Sequence, residues 1–139
     1  MNFKSKKPKQ DFTAKFYFPE SGKKSGVELR FLTDEMRREA YNNLVKEDVD
    51  FAIHPHTRKL TKVVTPIFKN QDLEDWVVDN LIISWWGISL DDKPLDCTRE
   101  NKIMLYREEE AFTAFIDESN KALIESAKAS YGGTSEIKN

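Results

Sequence analysis

One cysteine, two histidines, five glycines and five prolines in 139 residues exclude several kinds of chemistry. A lone cysteine cannot close an intrachain disulfide and cannot supply a zinc site built on paired thiolates. The sparse glycines form no phosphate-cradling loop, no dinucleotide fingerprint and no nucleophile elbow. No apolar run reaches the roughly 20 residues that a membrane-spanning helix needs. The early lysines have no apolar segment behind them, so the expectation is a chain without a secretory signal, soluble and cytoplasmic. A formal net charge of −2 provides no global field toward nucleic acid or acidic lipid.

What the chain does have is aromatic and charged side chains together. Apolar content is 39% and charged content 33%, which alone would sit near the boundary of disorder. Nine Phe, four Tyr and three Trp argue instead for a packed core. With no internal repeat and no linker composition, one domain is expected over residues 12–129. A flexible basic arm over 1–11 and a flexible tail over 130–139 flank it.

Hydropathy periods place the elements. Ala14, Phe16 and Phe18 alternate, as do Val27, Leu29 and Phe31, around a Gly/Ser/Pro loop; this predicts a β-hairpin with one buried face. Thr33-Asp34-Glu35 opens a helix to about Lys46, with Met36, Ala40 and Leu44 on its apolar stripe. Val49, Phe51 and Ile53 alternate again, and a β-rich run from Leu60 follows, which predicts a second hairpin, with an irregular crossover as the alternative. From Asn70 or Asp72 to Trp86 the apolar residues surround nearly the whole circumference of a helix, so a central, buried helix over about 72–86, ended by Gly87, is expected. Thr98 caps a short helix, and Phe112, Phe115, Ile116, Leu123 and Ala127 follow helical spacing in the last one. The fold class is therefore α+β: one or two N-terminal hairpins packed on a bundle of three to four helices.

Candidate chemistry is thin. His54 and His56 flank Pro55 and would share a strand face, but no further His or paired Cys completes a metal site. Cys97 precedes a helix cap, where the dipole favours thiolate, yet no orienting motif accompanies it, and free cysteine more often packs as a small apolar residue. Asp91, Asp92 and Asp96 lack calcium-loop spacing and read as turn formers. Trp85 and Trp86, adjacent on a helix, would point about 100° apart; burial of both in a core covered on two sides is the favoured expectation, with one of them at a partner interface as the alternative. No catalytic, cofactor or metal residues are assigned, and an enzyme is not expected.

The most idiosyncratic stretch runs Trp85-Trp86-Gly87-Ile88-Ser89-Leu90-Asp91-Asp92-Lys93-Pro94-Leu95-Asp96-Cys97-Thr98-Arg99-Glu100-Asn101-Lys102. It resembles a segment of the small tail assembly chaperones of long-tailed bacteriophages and prophages. That segment carries Trp-x-Gly-Val/Ile, an Asp-rich turn with Pro, then Cys or Phe, Thr or Ser, and Glu-Asn. The matching positions here are Trp85, Gly87, Ile88, Asp91, Asp92, Pro94, Cys97, Thr98, Glu100 and Asn101. The aromatic-rich last helix and the strand leading into Thr-Asp-Glu-x-Arg-Arg are similar in outline.

The resemblance implies a non-enzymatic role in the host bacterial cytoplasm. The chain would bind the tape-measure protein, with tail-tube subunits as further candidate partners, while the tail is built, then leave. Such a holder covers the apolar stripe of a long helix that would otherwise aggregate. Membrane binding is not expected, and self-association stays open. The rival readings are a virion component, such as a head–tail connector or minor tail protein, and a nucleic-acid accessory protein using Lys4, Lys6, Lys7 and Lys9 with Phe12, Phe16 and Tyr17. The overall acidic balance disfavours the second rival.

Overall fold

The computed structural model describes Met1 and residues 12–131. Residues 2–11 and 132–139, which include nearly all of the expected arm and tail, lie outside the described residues. The architecture is α+β, as the periodicities predict. The chain divides into two compact units, one from Met1–Leu32 with Val78–Asn139 and the other from Thr33–Val77.

The first unit is built on a three-stranded antiparallel sheet. β1 (Thr13–Tyr17) and β2 (Gly26–Arg30) form the expected hairpin, with Ala14 opposite Leu29 and Phe16 opposite Val27. The third strand is β5 (Ile82–Trp86), which pairs with the other edge of β2. Here the structure corrects the expectation of a helix continuing to Trp86. The helix preceding it, α2 (Asn70–Leu81), stops five residues short. Ile82-Ile83-Ser84-Trp85-Trp86 is β-branched and aromatic, which suits a pleated surface, and β2 would otherwise keep an open edge.

A bulge reconciles β5 with the core. Glu28 faces Ser84 but Leu29 faces Ile82, so Ile83 is the extra residue and lies exposed. The bulge turns Ile82 and Trp85, three apart in sequence, toward the same buried side as Val27 and Leu29. Trp85 and Trp86 then point to opposite faces of the sheet, as strand geometry requires.

After β5 come two-residue strands β6 (Ser89–Leu90) and β7 (Lys93–Pro94), then α3 (Arg99–Glu108) and α4 (Glu110–Tyr131). Phe112, Ile116, Ser119, Leu123 and Ala127 are the buried stripe of α4, and the helix packs on β1, β2 and α3. Val27, Leu29, Ile82, Ile116 and Leu123 are the largest fully buried side chains of the protein.

The second unit contains α1 (Asp34–Leu44), the long hairpin β3 (Lys46–Ile53) and β4 (Leu60–Ile67), and most of α2. Thr33 caps α1, its hydroxyl accepting from the Met36 amide at 3.1 Å. The Tyr41 and Phe68 rings meet with centroids 4.4 Å apart. The second hairpin is thus present at the expected place and is longer than the alternation alone suggests.

Gly87 ends β5 rather than a helix. Its φ is +68°, and a Cβ there would collide with the Lys24 carbonyl and with Ser25. Gly87→Ala is therefore expected to lower the thermal midpoint while leaving the far-ultraviolet circular dichroism of the folded state unchanged. Ile116→Ala, at a fully buried site, should cost about 2–5 kcal/mol in a urea titration; a cost below about 1 kcal/mol would contradict the packing of α4 on the sheet.

Candidate functional site

The segment Trp85–Lys102 is a chain of local devices that carries β5 into α3. Trp85 is buried, its Nε1–H donates to the Leu95 carbonyl at 2.8 Å, and its ring meets Phe112 edge-on at 5.9 Å. Leu95 in turn donates its amide to the Ile88 carbonyl. Asp91 and Asp92, at φ +51° and +64°, are the two central residues of the tight turn joining β6 to β7. Both positive angles fit a type I′ hairpin turn, which explains an Asp pair at this point without any cation. Pro94 sits opposite Ser89 in the last pair of that hairpin.

Thr98 caps α3 by accepting from the Asn101 amide at 3.2 Å, and Asn101 Nδ2 donates to the Asp96 carbonyl at 2.8 Å. Glu100 lies exposed in the first turn, favourably placed for the helix dipole. Lys102 is buried, and its Nζ donates to both the backbone carbonyl and Oδ1 of Asp79, at 2.9 and 3.2 Å. Arg99 reaches Asp79 Oδ2 at 3.3 Å. These contacts pin α3 to the end of α2, where a cation also meets the negative pole of the helix.

Cys97 is half-buried, and that burial pushes its thiol pKa up; the nearby Lys102 ammonium and a backbone hydrogen bond at Trp85 pull it down only in part. The side chain is thus held as a thiol. His54 Nδ1 accepts from the amides of His56 and Thr57, so this ring organises its own turn. No cluster of three metal-ligating groups occurs among the described residues.

Two surfaces emerge that the motifs do not mark. The first is a cleft of about 640 Å³ in the first unit, lined by Phe18, Pro19, Ile88, Leu105, Phe112 and Phe115, with Ala111 and Ala114. Phe18 stacks on Phe115 with centroids 4.0 Å apart to form one wall. Glu109 and Glu118 provide its carboxylates. Of the motif residues, Ile88 alone lines it; Trp85 serves the core, and Trp86 lies half-buried on the opposite face.

On that opposite face Trp86 meets Tyr17 edge-on at 5.7 Å, with Lys15 Nζ 5.9 Å from the indole. Its Nε1–H donates to the Lys23 carbonyl. Phe16, grouped with Tyr17 in the nucleic-acid reading, pairs with buried Val27 and shares its inward face. Lys4, Lys6, Lys7 and Lys9 lie outside the described residues.

The second surface is the β3–β4 hairpin, exposed at every residue of both strands. Val49, Phe51, Ile53, Leu60 and Val64 share one face. Phe51 is 58% exposed, Ile53 66% and Leu60 67%. The alternation that predicted β3 also signals a buried face, yet among the described residues nothing buries it. No helix of the described residues is long and apolar enough to cross a membrane. Comparison with known protein families, curated proteins and solved structures finds no match for this chain.

Two measurements check the local devices. Iodoacetamide should alkylate Cys97 more slowly in the folded protein than in urea at the same pH, because a raised pKa leaves less thiolate at any given pH. Faster alkylation of the folded form would contradict the raised pKa. Lys102→Met should destabilise by about 1–3 kcal/mol, since it leaves the Asp79 carboxylate and carbonyl without their buried donor.

Proposed function

We propose that this chain is a phage or prophage tail assembly chaperone, a protein that binds the tape-measure protein and tail-tube subunits by surface complementarity and carries out no catalysis. The observation that carries the reading is the apolar cleft between Phe18, Ile88, Phe112 and Phe115, with Glu109 and Glu118 in its lining. It lies beside the segment that resembles the chaperones. Its size is that of a site for small groups, so it takes the apolar side chains projecting from one face of a partner helix rather than the helix itself. The two glutamates favour a partner with basic residues beside its apolar stripe. A cleft of this kind can hold such a helix weakly enough to release it when tube subunits take its place.

The exposed hairpin favours a second reading, that of a virion component. Two strands exposed on both faces suit a subunit held between permanent neighbours. The readings separate by where the protein ends up.

Tagged protein recovered from host cells during induction should bring down a long, helical tape-measure-like protein, while purified virions should lack this chain. Stoichiometric presence in virions would sink the chaperone reading and support the second one. Ala114→Glu puts a charge into the cleft at an exposed position, so it should reduce capture of the partner at least about tenfold while changing stability by no more than about 0.5 kcal/mol. Unchanged capture would remove the cleft from the binding site.

A further inference from the structure

We infer that the β3–β4 hairpin joins edge to edge with the same hairpin of a second copy of this chain, head to tail, so that β4 of one copy extends the sheet with β3 of the next. The inference does not depend on the chaperone reading.

The phase of the hairpin ladder identifies the free backbone groups. The His54 amide donates to the Lys59 carbonyl, so that pair is hydrogen-bonded across the turn. Pairs then alternate along the strands. Ile53↔Leu60, Phe51↔Lys62, Val49↔Val64 and Glu47↔Pro66 are the pairs whose backbone groups point away from the hairpin. The Phe51 amide agrees with this phase, since it donates to the Asp50 side chain at 2.8 Å. Pro66 also agrees, because a residue without an N–H is tolerated where the group would point outward. Among the described residues no further strand pairs with either edge of the hairpin, and an isolated two-stranded hairpin is marginal in water.

Charge selects the partner edge. Glu47, Asp48 and Asp50 make β3 acidic, while Arg58, Lys59 and Lys62, in the turn and on β4, are basic. Within the hairpin these charges do not meet: Glu47 faces Pro66, Asp50 faces Val63 and Lys62 faces Phe51. Pairing two β3 edges would bring three acids beside three acids with only Lys46 of each strand to offset them, and pairing two β4 edges would leave Arg58, Lys59 and Lys62 with no acid to meet. Pairing β4 with the β3 of a second copy is favourable.

One antiparallel register satisfies charge, face and hydrogen bonding together. It sets Lys62 opposite Glu47, Leu60 opposite Val49 and Lys59 opposite Asp50 of the second copy. Leu60, Lys62, Val49 and Glu47 all present outward backbone groups in the phase above. Because side chains alternate, this register also keeps the apolar faces of successive copies on one side of a continuous sheet. Such a contact is heterologous, so it does not stop at two copies, and sheet twist carries it into a ring or an open filament.

The test is sedimentation velocity of the full-length protein over a concentration series. The wild-type chain should associate beyond the dimer. Glu47→Lys with Asp50→Lys, and separately Lys59→Glu with Lys62→Glu, should each weaken association about tenfold or more. An equimolar mixture of the two variants should regain it, because each altered edge then meets its complement. Val49→Pro should weaken it as well, by removing the outward amide that this register sets opposite Leu60, without touching the internal ladder. All these positions are exposed, and circular dichroism checks that the variants stay folded. A wild-type protein that stays monomeric throughout would overturn the inference and leave the edges for an extended segment of a different protein. Association that survives both charge reversals, or that mixing does not restore, would also overturn it.

Discussion

Trp85 is held at two points, its ring against Phe112 of α4 and its N–H on the Leu95 carbonyl, and the first unit depends on that placement. The ring faces the same side of the sheet as Val27, Leu29 and Ile82, so it closes the apolar layer onto which α4 packs. The indole hydrogen bond meanwhile draws in the loop after β7. It thus sets where Thr98 starts α3, and where Lys102 finds Asp79 at the end of α2. A buried indole without a partner for its N–H would be costly, so ring packing and loop position are coupled. The cleft lined by Phe18, Ile88, Phe112 and Phe115 opens beside this architecture.

The two units treat apolar surface in opposite ways. In the first, alternation in β1 and β2 ends in full burial under α4. In the second, the same kind of alternation in β3 produces a face that stays in water. A strand pair with open edges and an exposed aromatic face stores an unmet demand for partners, and its segregated charges restrict which edge can meet it.

Much of the fold was legible in the sequence because it rests on local rules. Thr33 and Thr98 cap the helices they were expected to cap, period-2 runs located β1, β2 and β3, and β-rich composition located β4. The failure came at Ile82–Trp86. A short, nearly continuous apolar run carries no clean period, and the bulge at Ile83 removes what alternation there is. The Asp91-Asp92 turn was readable as a turn; its two left-handed residues were not. Phe115 was correctly placed on the apolar side of its helix, but its pairing with Phe18 to make a cleft wall depends on residues nearly a hundred positions apart.

Composition, caps and hydropathy periods were enough to establish an α+β chain that cannot close an intrachain disulfide, because those properties depend on residue type and on neighbours a few positions away. Which apolar residues would be core and which would remain exposed was settled only by tertiary packing. Trp85 and Phe51 look alike in the sequence, each an aromatic in an apolar run. One is buried because β2 and α4 enclose it, and the other is exposed because, among the described residues, nothing lies over β3 and β4. Burial is a property of what the rest of the chain brings to a residue, and hydropathy cannot report it.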